Sequence, residues 1–135
     1  KSQEEKLRFL AAMCNFQQKN LLLKTLEFTL GPDVRSQNIQ MPIMRIAANL
    51  HGKEFLWAWL KKNWKKIVKK AGIGNPLLNR VVASIGQVVD AKQEKEIRKF
   101  FKTNPLRGTE MTLEQTMERV RVSSKFLNSI KEEFS

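Results

Sequence analysis

In the segment FLWAWLKKNWKKIVKKAG, residues 55–72, apolar residues and lysines alternate with a helical period. Only a helix places these two kinds of side chain on separate faces. At about 100° per residue, its apolar side chains fall on one arc of about 120°, the width expected for a buried helical stripe. Lysines fill the other side, and Phe55 and Trp59 lie among them, either covering a second helix or exposed. The pattern therefore predicts an amphipathic helix with a lysine-rich outer face. The predicted stripe comprises Leu56, Trp57, Leu60, Trp64, Ile67, Val68 and Ala71.

The same helical period recurs in six further stretches, separated by breaks such as Gly31-Pro32. No stretch alternates long enough to indicate a strand. The stretches group into pairs over residues 2–30, 36–71 and 76–103, a spacing near the ~40 residues of HEAT or armadillo repeats. We therefore predict an all-α fold, a single domain over residues 1–135. Its antiparallel helical hairpins would stack as a HEAT/armadillo-like superhelical layer, and a compact helical bundle is the alternative.

Local signals predict where helices begin and which side chains face inward. Ser2 with Glu5, and Thr112 with Gln115, have the spacing of a capping box. Asn75 is expected to cap a helix that has Pro76 at its first position. The inward face before the tryptophan helix is predicted to hold Ile39, Ile43, Ile46, Ala47 and Leu50. That of the last helix is predicted to hold Leu113, Met117, Val120, Ser124, Leu127, Ile130 and Phe134.

The net charge of +12 and pI of about 10.2 raise a second class of function. Such a surface attracts polyanions, so a free-standing basic helical module that binds acidic membrane surfaces or nucleic acid is the alternative. The chain has no helix-turn-helix signature, zinc-finger spacing or RNA-binding aromatic strand. Its apolar runs are too short to span a membrane. We therefore predict no nucleic-acid partner and no membrane span, and we interpret the lysine face as solvated.

Few side chains could support catalysis or bind a metal. His51 is the single histidine, lies in a break between helices, and is expected to be exposed or to cap a helix. Cys14 is the single cysteine and lies on the apolar stripe of the first helix, so we interpret it as a small core residue. There is no HExxH motif and no Cys/His cluster. We predict no catalytic residue, metal ligand or cofactor in this chain, and a reducing location, with the cytoplasm favoured.

The tryptophan helix also carries a recognisable signature. Its residues Trp57, Trp59, Asn63 and Trp64 match W-x-[FW]-[IL]-[KR]-x-N-W, which resembles a motif near the C-terminus of gluzincin zinc aminopeptidases. That family includes the puromycin-sensitive, endoplasmic reticulum and tricorn-interacting aminopeptidases. Further similar segments follow the family's order, so the resemblance covers essentially the whole chain. They are VRSQNI, LLNRVV, EIRKFFKTNP and TLEQTMERVRVSSKFL.

This resemblance implies the C-terminal part of a longer zinc aminopeptidase. Such a domain is noncatalytic, caps a separate catalytic domain that carries the zinc, and shapes access of peptide substrates. The implied partners are the catalytic domain of the same parent chain and the peptide, and the chain alone is expected to be inactive. Arg80, which matches an arginine of the puromycin-sensitive branch, and Arg45 are candidate contacts to a peptide carboxylate. The competing interpretation is that each arginine forms a surface or interhelical ion pair.

Overall fold

A computed structural model describes residues 2–134, and every regular element in this part of the chain is a helix. Three short 3-10 turns accompany seven α-helices, and residues 2–134 contain no strand, which confirms the all-α prediction. The helices are α1 (Gln3–Met13), α2 (Lys19–Thr29), α3 (Gln40–Ala48), α4 (Leu56–Ala71), α5 (Leu77–Ser84), α6 (Glu94–Thr103) and α7 (Glu110–Phe134).

Side-chain caps explain where several helices begin. The Ser2 hydroxyl accepts a hydrogen bond from the Glu5 N–H at 3.2 Å, and α1 begins at the next residue. The Asn75 side chain accepts from the Leu77 N–H at 3.0 Å, and α5 begins at Leu77, one residue later than predicted, so that Pro76 occupies the N-cap position. Asp90 caps the turn that leads into α6 through a full capping box. Each cap pairs a backbone N–H that has no partner inside its helix.

The predicted cap at Thr112 is wrong. Helix α7 begins at Glu110, so Thr112 lies inside the helix, where its hydroxyl donates to the Asn79 side chain on α5 at 2.8 Å. The same hydroxyl cannot serve as an N-cap two residues inside the helix. The Thr112 hydroxyl, which the local pattern assigned to a helix cap, therefore bonds to Asn79 on another helix instead.

The helices pack in an order that follows the chain. Helices α1 and α2 pack on each other and on α3, α3 packs on α5, and α5 packs on α7. Helix α4 lies beside α5 and contacts α6 through aromatic side chains. One hydrophobic core runs through all of them. Sequential packing of this kind is compatible with stacked hairpins, while the HEAT-like superhelical arrangement itself stays a prediction.

Cys14 lies in this core, as predicted. Its side chain is completely buried as a free thiol, and its Sγ lies 3.3 Å from the carbonyl oxygen of Leu10. Burial raises the pKa of the Cys14 thiol to about 11, and the positive charge of Arg45 opposes only part of that shift. The thiol is therefore protonated at neutral pH and serves as an apolar packing group.

The predicted inward faces are correct in the body of the protein and wrong at two ends. Met117 and Val120 of α7 are buried, but Leu127 is 57% and Phe134 83% exposed. Ile130, on the same predicted face, is also exposed, and so is Leu50 after α3, at 77%. Helix α7 is 25 residues long, or about 37 Å, and its buried residues end at Val120. A helical period identifies an apolar face but not how far the neighbouring helix extends.

Candidate functional site

Two tryptophans of α4 and two phenylalanines of α6 form what we call the tryptophan cluster: Trp57, Trp64, Phe100 and Phe101. The ring centroids of Trp57 and Phe100 are 5.4 Å apart, and those of Trp64 and Phe101 are 5.2 Å apart. Both pairs meet edge to face, the arrangement that aromatic quadrupoles favour by about 0.5–1.5 kcal/mol per pair beyond burial. Trp57 and Trp64 are both nearly fully buried.

The sequence places these rings together through helical spacing. Trp57 and Trp64 are seven residues, or about two turns, apart, so they lie on the same face of α4. On α6, Phe101 is buried, and Phe100 packs against the core from its partly buried position. Both tryptophans contact both phenylalanines. The cluster therefore fastens α4 to α6.

A charged contact closes the edge of this cluster. Trp57 donates its indole N–H to a carboxylate oxygen of Glu96 at 2.7 Å, and the Lys61 ammonium donates to the same oxygen at 2.6 Å. These hydrogen bonds, first from Lys61 and then from Trp57, lower the pKa of Glu96. The Lys61 Nζ also lies 5.4 Å from the Trp57 ring centroid. A buried indole N–H needs a hydrogen-bond acceptor. A tryptophan on the predicted buried face, such as Trp57, could therefore have indicated a nearby acceptor such as a carboxylate.

The other two signature residues act within α4. Trp59 packs against the core from a partly buried position, and its carbonyl accepts a hydrogen bond from the Asn63 side chain at 3.0 Å. Phe55 is buried, so it too covers a neighbour. On the outer face, Lys65 and neighbouring lysines are exposed, whereas Lys70 donates to the carbonyl of Gly31 at 2.7 Å. The lysine face is therefore mostly, but not entirely, solvated.

A second polar group, the ion-pair network, joins α6 to α7 through Glu94, Arg98, Glu114, Glu118 and Arg121. Glu94 pairs with both Arg98 and Arg121 at 2.8 Å. Hydrogen bonds from these two guanidinium groups, Arg121 first, lower the pKa of Glu94 to about 2. Arg98 also holds Glu114, and Arg121 also holds Glu118. Sequence analysis missed this network because Glu94 and Arg121 are separated by 27 positions.

The two predicted peptide contacts lie in different surroundings. Arg80, on α5, is exposed and donates to the side-chain oxygen of Gln40 at 3.1 Å. Arg45, on α3, is also exposed and lines a shallow polar depression of about 370 Å³ together with Asn49 and His51. His51 is exposed, as expected, and its backbone N–H donates to the Asn49 side chain at 2.8 Å. Both guanidinium groups can reach solvent, so either could meet an anionic group.

The residues that the structure describes do not form a zinc site. Among residues 2–134, no three His, Cys, Asp or Glu side chains lie together so that they could hold a metal ion. His51 lies at the surface between helices, and Cys14 is enclosed in the core. Zinc sites need three or four converging nitrogen, sulfur or oxygen ligands. Nor does any helix of this described part have the length and apolarity to cross a membrane.

Comparison with known proteins relates the chain to aminopeptidases. The family model for the ERAP1-like C-terminal domain matches residues 1–122. Aminopeptidase 2, mitochondrial, of Saccharomyces cerevisiae is 33% identical over 129 residues, which cover 94% of this chain and 13% of the yeast protein. Aminopeptidase M1-C of Oryza sativa subsp. japonica is 33% identical over 131 residues, covering 96% of this chain and 15% of the rice protein.

The alanine/arginine aminopeptidase of Saccharomyces cerevisiae is 29% identical over 132 residues, with similar coverage of both chains. The chain thus spans about one seventh of the length of the curated relatives that it matches. The match includes the tryptophan cluster, the ion-pair network and both candidate arginines. The chain belongs to the ERAP1-like C-terminal domain family of M1 aminopeptidases.

Proposed function

We propose that residues 1–135 form one all-helical, noncatalytic domain at the C-terminal end of a zinc aminopeptidase. The parent enzyme removes N-terminal residues from peptides, and this domain caps the catalytic domain and shapes substrate access. The observation that carries the proposal is the family match over residues 1–122, together with relatives that are named aminopeptidases and are about seven times longer. The catalytic domain of the same chain is the principal partner.

One feature of the structure supports a noncatalytic role. The ion pairs of Glu94 and Glu96 with their cationic partners join helices to one another. These ion pairs link helices, and the zinc ligands of the parent would come from its other domains.

The buried free thiol of Cys14 suits a reducing compartment, and we place the parent enzyme in the cytoplasm.

Within this role, Arg45 and Arg80 are the side chains that we propose as contacts for the carboxylate of a peptide. Each is exposed and carries a permanent positive charge that can bind a carboxylate in a bidentate manner. Arg45 has the better setting, because the depression that it lines also includes the exposed side-chain amides of Asn15 and Gln17, which could donate to a bound carboxylate. Arg80 would have to give up or share its hydrogen bond to Gln40.

The test uses the full parent aminopeptidase with Arg45→Ala or Arg80→Ala, and Lys65→Ala as an exposed cationic control. Each enzyme is assayed on an aminoacyl reporter, a decapeptide with a free C-terminal carboxylate, and its C-terminally amidated twin. Loss of a hydrogen bond to a charged group costs about 1.5–3 kcal/mol, so KM for the free-carboxylate peptide should rise by roughly tenfold or more. KM for the reporter and for the amidated peptide should stay unchanged. Equal kinetics on both decapeptides in every variant would show that neither arginine reads the carboxylate.

A separate assay tests the division of labour between domains. The purified 135-residue chain should hydrolyse no aminoacyl reporter and retain no stoichiometric zinc. The full parent enzyme should hydrolyse the reporter and retain zinc. Zinc-dependent turnover by the 135-residue chain would contradict the noncatalytic role. Tight, salt-sensitive binding of this chain to nucleic acid or acidic vesicles would instead favour the basic-module alternative.

A further inference from the structure

Helix α7 changes character after Val120. Its buried side chains are Thr116, Met117 and Val120, and none follows among the described residues of the helix. A segment that buries no side chain opens at a small fraction of the free energy needed to unfold the core. The part of α7 after Val120 can therefore unwind while the rest of the domain stays folded.

Two arginines and two serines lie at this boundary, in the order Arg119, Arg121, Ser123 and Ser124. Ser123 is exposed and Ser124 is half-buried. Ser124 follows Arg121 by three positions and Arg119 by five. Protein kinases that select basic substrates bind an extended peptide, and carboxylates in their groove hold arginines at this spacing before the serine through paired hydrogen bonds. Ser123 follows the same arginines at a different spacing.

We propose that Ser124 is the phosphorylation site of an arginine-directed serine kinase. The γ-phosphoryl group of ATP is transferred to the Ser124 Oγ. The bond from the γ-phosphorus to the bridging oxygen breaks, ADP leaves, and the hydroxyl proton passes to the catalytic aspartate of the kinase. This site goes beyond the proposed function and does not depend on it.

The structure allows a kinase to reach this segment at small cost. Arg121 and Ser124 both follow the last buried residue of α7, so unwinding from Arg121 onward presents them together. Arg121 must leave its ion pairs with Glu94 and Glu118, and its side chain is 43% exposed. Ion pairs at such exposure contribute little to stability. Arg119, which is also exposed, adds a second positive charge just before the unwound part.

The phosphate would also act on the ion-pair network. Residues three apart are neighbours on a helix surface, so phosphorylated Ser124 lies beside Arg121 when α7 is wound. Arg121 pairs with Glu94 of α6 at 2.8 Å. Phosphoserine carries about −1.5 to −2 charges at pH 7 and three acceptor oxygens, so it competes with Glu94 for the guanidinium group and repels the Glu94 carboxylate. Phosphorylation should therefore loosen the contact between α6 and α7.

Phosphorylation of the full-length protein in vitro tests the site. The catalytic subunit of protein kinase A serves as the arginine-directed probe, with ATP, and mass spectrometry locates the phosphate. A synthetic peptide of residues 117–130 is treated in parallel. Ser124→Ala removes the acceptor, Ser123→Ala is the matched neighbouring control, and Arg121→Gln removes the nearest upstream charge. Circular dichroism melts show that each variant is folded.

Ser124 should carry the phosphate in both the peptide and the full-length protein. Ser124→Ala should abolish labelling of this segment, and Ser123→Ala should leave it unchanged. Arg121→Gln should slow labelling by roughly tenfold or more, because it removes hydrogen bonds between charged groups. Transfer to Ser123, an unlabelled peptide, or a labelled peptide with an unlabelled full-length protein would each overturn the proposal.

Hydrogen exchange of the full-length protein measures the consequence. Amides of α6 and of the first half of α7 should exchange roughly fivefold faster after phosphorylation, as expected for the loss of one exposed ion pair. In a Glu94→Gln variant the phosphate should change these rates little, because the tie between Glu94 and Arg121 is already weakened. Equal rates before and after phosphorylation of the unmodified sequence would refute the effect on the ion-pair network.

Discussion

Helices α4 and α7 are the two longest in the protein, and both have an apolar stripe in their sequence, yet they are packed very differently. Every turn of α4 contributes a buried side chain, from Leu56 to Ala71. In α7 the buried residues end at Val120, and the following apolar side chains, such as Phe126 at 64%, are exposed. The difference shows that amphipathicity alone does not bury a helix, because a neighbour must also lie against it.

The two helices also differ in what fastens them. The tryptophan cluster packs α4 against α6 with large rings, whereas the ion-pair network ties α7 to α6 through charged groups near the surface. Burial of aromatic area is worth several kcal/mol, while exposed ion pairs are worth at most about 1 kcal/mol each. Substitutions in the two helices should therefore separate into large and small effects on stability.

The largest effect is expected for Trp64→Ala in α4. Trp64 is only 3% exposed and contacts both phenylalanines of α6, so its removal leaves a cavity. The free energy of unfolding should fall by about 3–5 kcal/mol. Lys65→Ala, one position further on the exposed face, should change it by less than about 0.5 kcal/mol. Urea unfolding followed by circular dichroism measures both changes. A Trp64→Ala variant as stable as the unmodified protein would mean that the tryptophan cluster does not stabilise α4.

A smaller loss is expected at Gly52, in the connection that leads into α4. A Cβ atom there would lie 2.3 Å from the carbonyl oxygen of Ile46 and 2.7 Å from its Cγ2. The backbone between α3 and α4 must therefore move, and the Gly52 carbonyl that accepts from the Leu56 N–H would move with it. Gly52→Ala should lower the free energy of unfolding by about 1–3 kcal/mol. An unchanged melting temperature would show that this connection adjusts freely.

Glu94→Gln should reveal the weaker tie between α6 and α7 through its dependence on pH. Arg121 and Arg98 lower the pKa of Glu94 from 4.5 to about 2, so its stabilising effect is complete above about pH 5 and is lost as pH falls towards 2. At pH 7 the substitution should cost about 1 kcal/mol, a value reduced for solvent screening. This difference from the unmodified protein should shrink between pH 5 and 2. Glu4→Gln, at an exposed site on α1, is the control, and a pH-independent difference would contradict the assignment.

The smallest effect is expected from shortening α7 after Val122. The removed turns hold Phe126, Leu127 and Phe134, all well exposed, so little packing is lost. None of the removed side chains that the structure describes is buried, so the free energy of unfolding should change by less than about 0.5 kcal/mol. Differential scanning calorimetry of the shortened chain measures this. A drop of several degrees in melting temperature would show that the end of α7 stabilises the body.

The parts of the fold that sequence reasoning predicted are those that depend on local spacing. The buried arc of α4 follows from helical period alone, and the Ser2 cap follows from a three-residue motif. Thr112 and Leu127 were misassigned because their surroundings depend on tertiary structure: the Thr112 hydroxyl donates to Asn79 on α5, and the Leu127 side chain is 57% exposed. The spacing of residues in the sequence predicts a helix and its apolar face, but not which other helices pack against it.

The candidate site shows the same division. The signature residues could be named because they are close in sequence, but Glu96, which accepts from the indole of Trp57, lies 39 positions away. Nothing in the surrounding sequence distinguishes Glu96 from Glu94, the other glutamate of α6. For Arg45 and Arg80, the sequence supplied the charge, while the depression beside Arg45 and the Gln40 partner of Arg80 depend on how α3 and α5 pack. Contacts between distant segments need the folded structure.

The burial of Cys14 makes this domain a convenient host for labels attached through sulfur. It is the only cysteine of the 135-residue chain, and its thiol is both enclosed and protonated at neutral pH. Exposed thiolates attack maleimides and similar electrophilic reagents, so the enclosed, protonated thiol of Cys14 should not react while the domain is folded. A cysteine introduced at an exposed position such as Leu50 would then carry a fluorophore or spin label alone. Distances within the domain can be measured in this way without first replacing the natural cysteine.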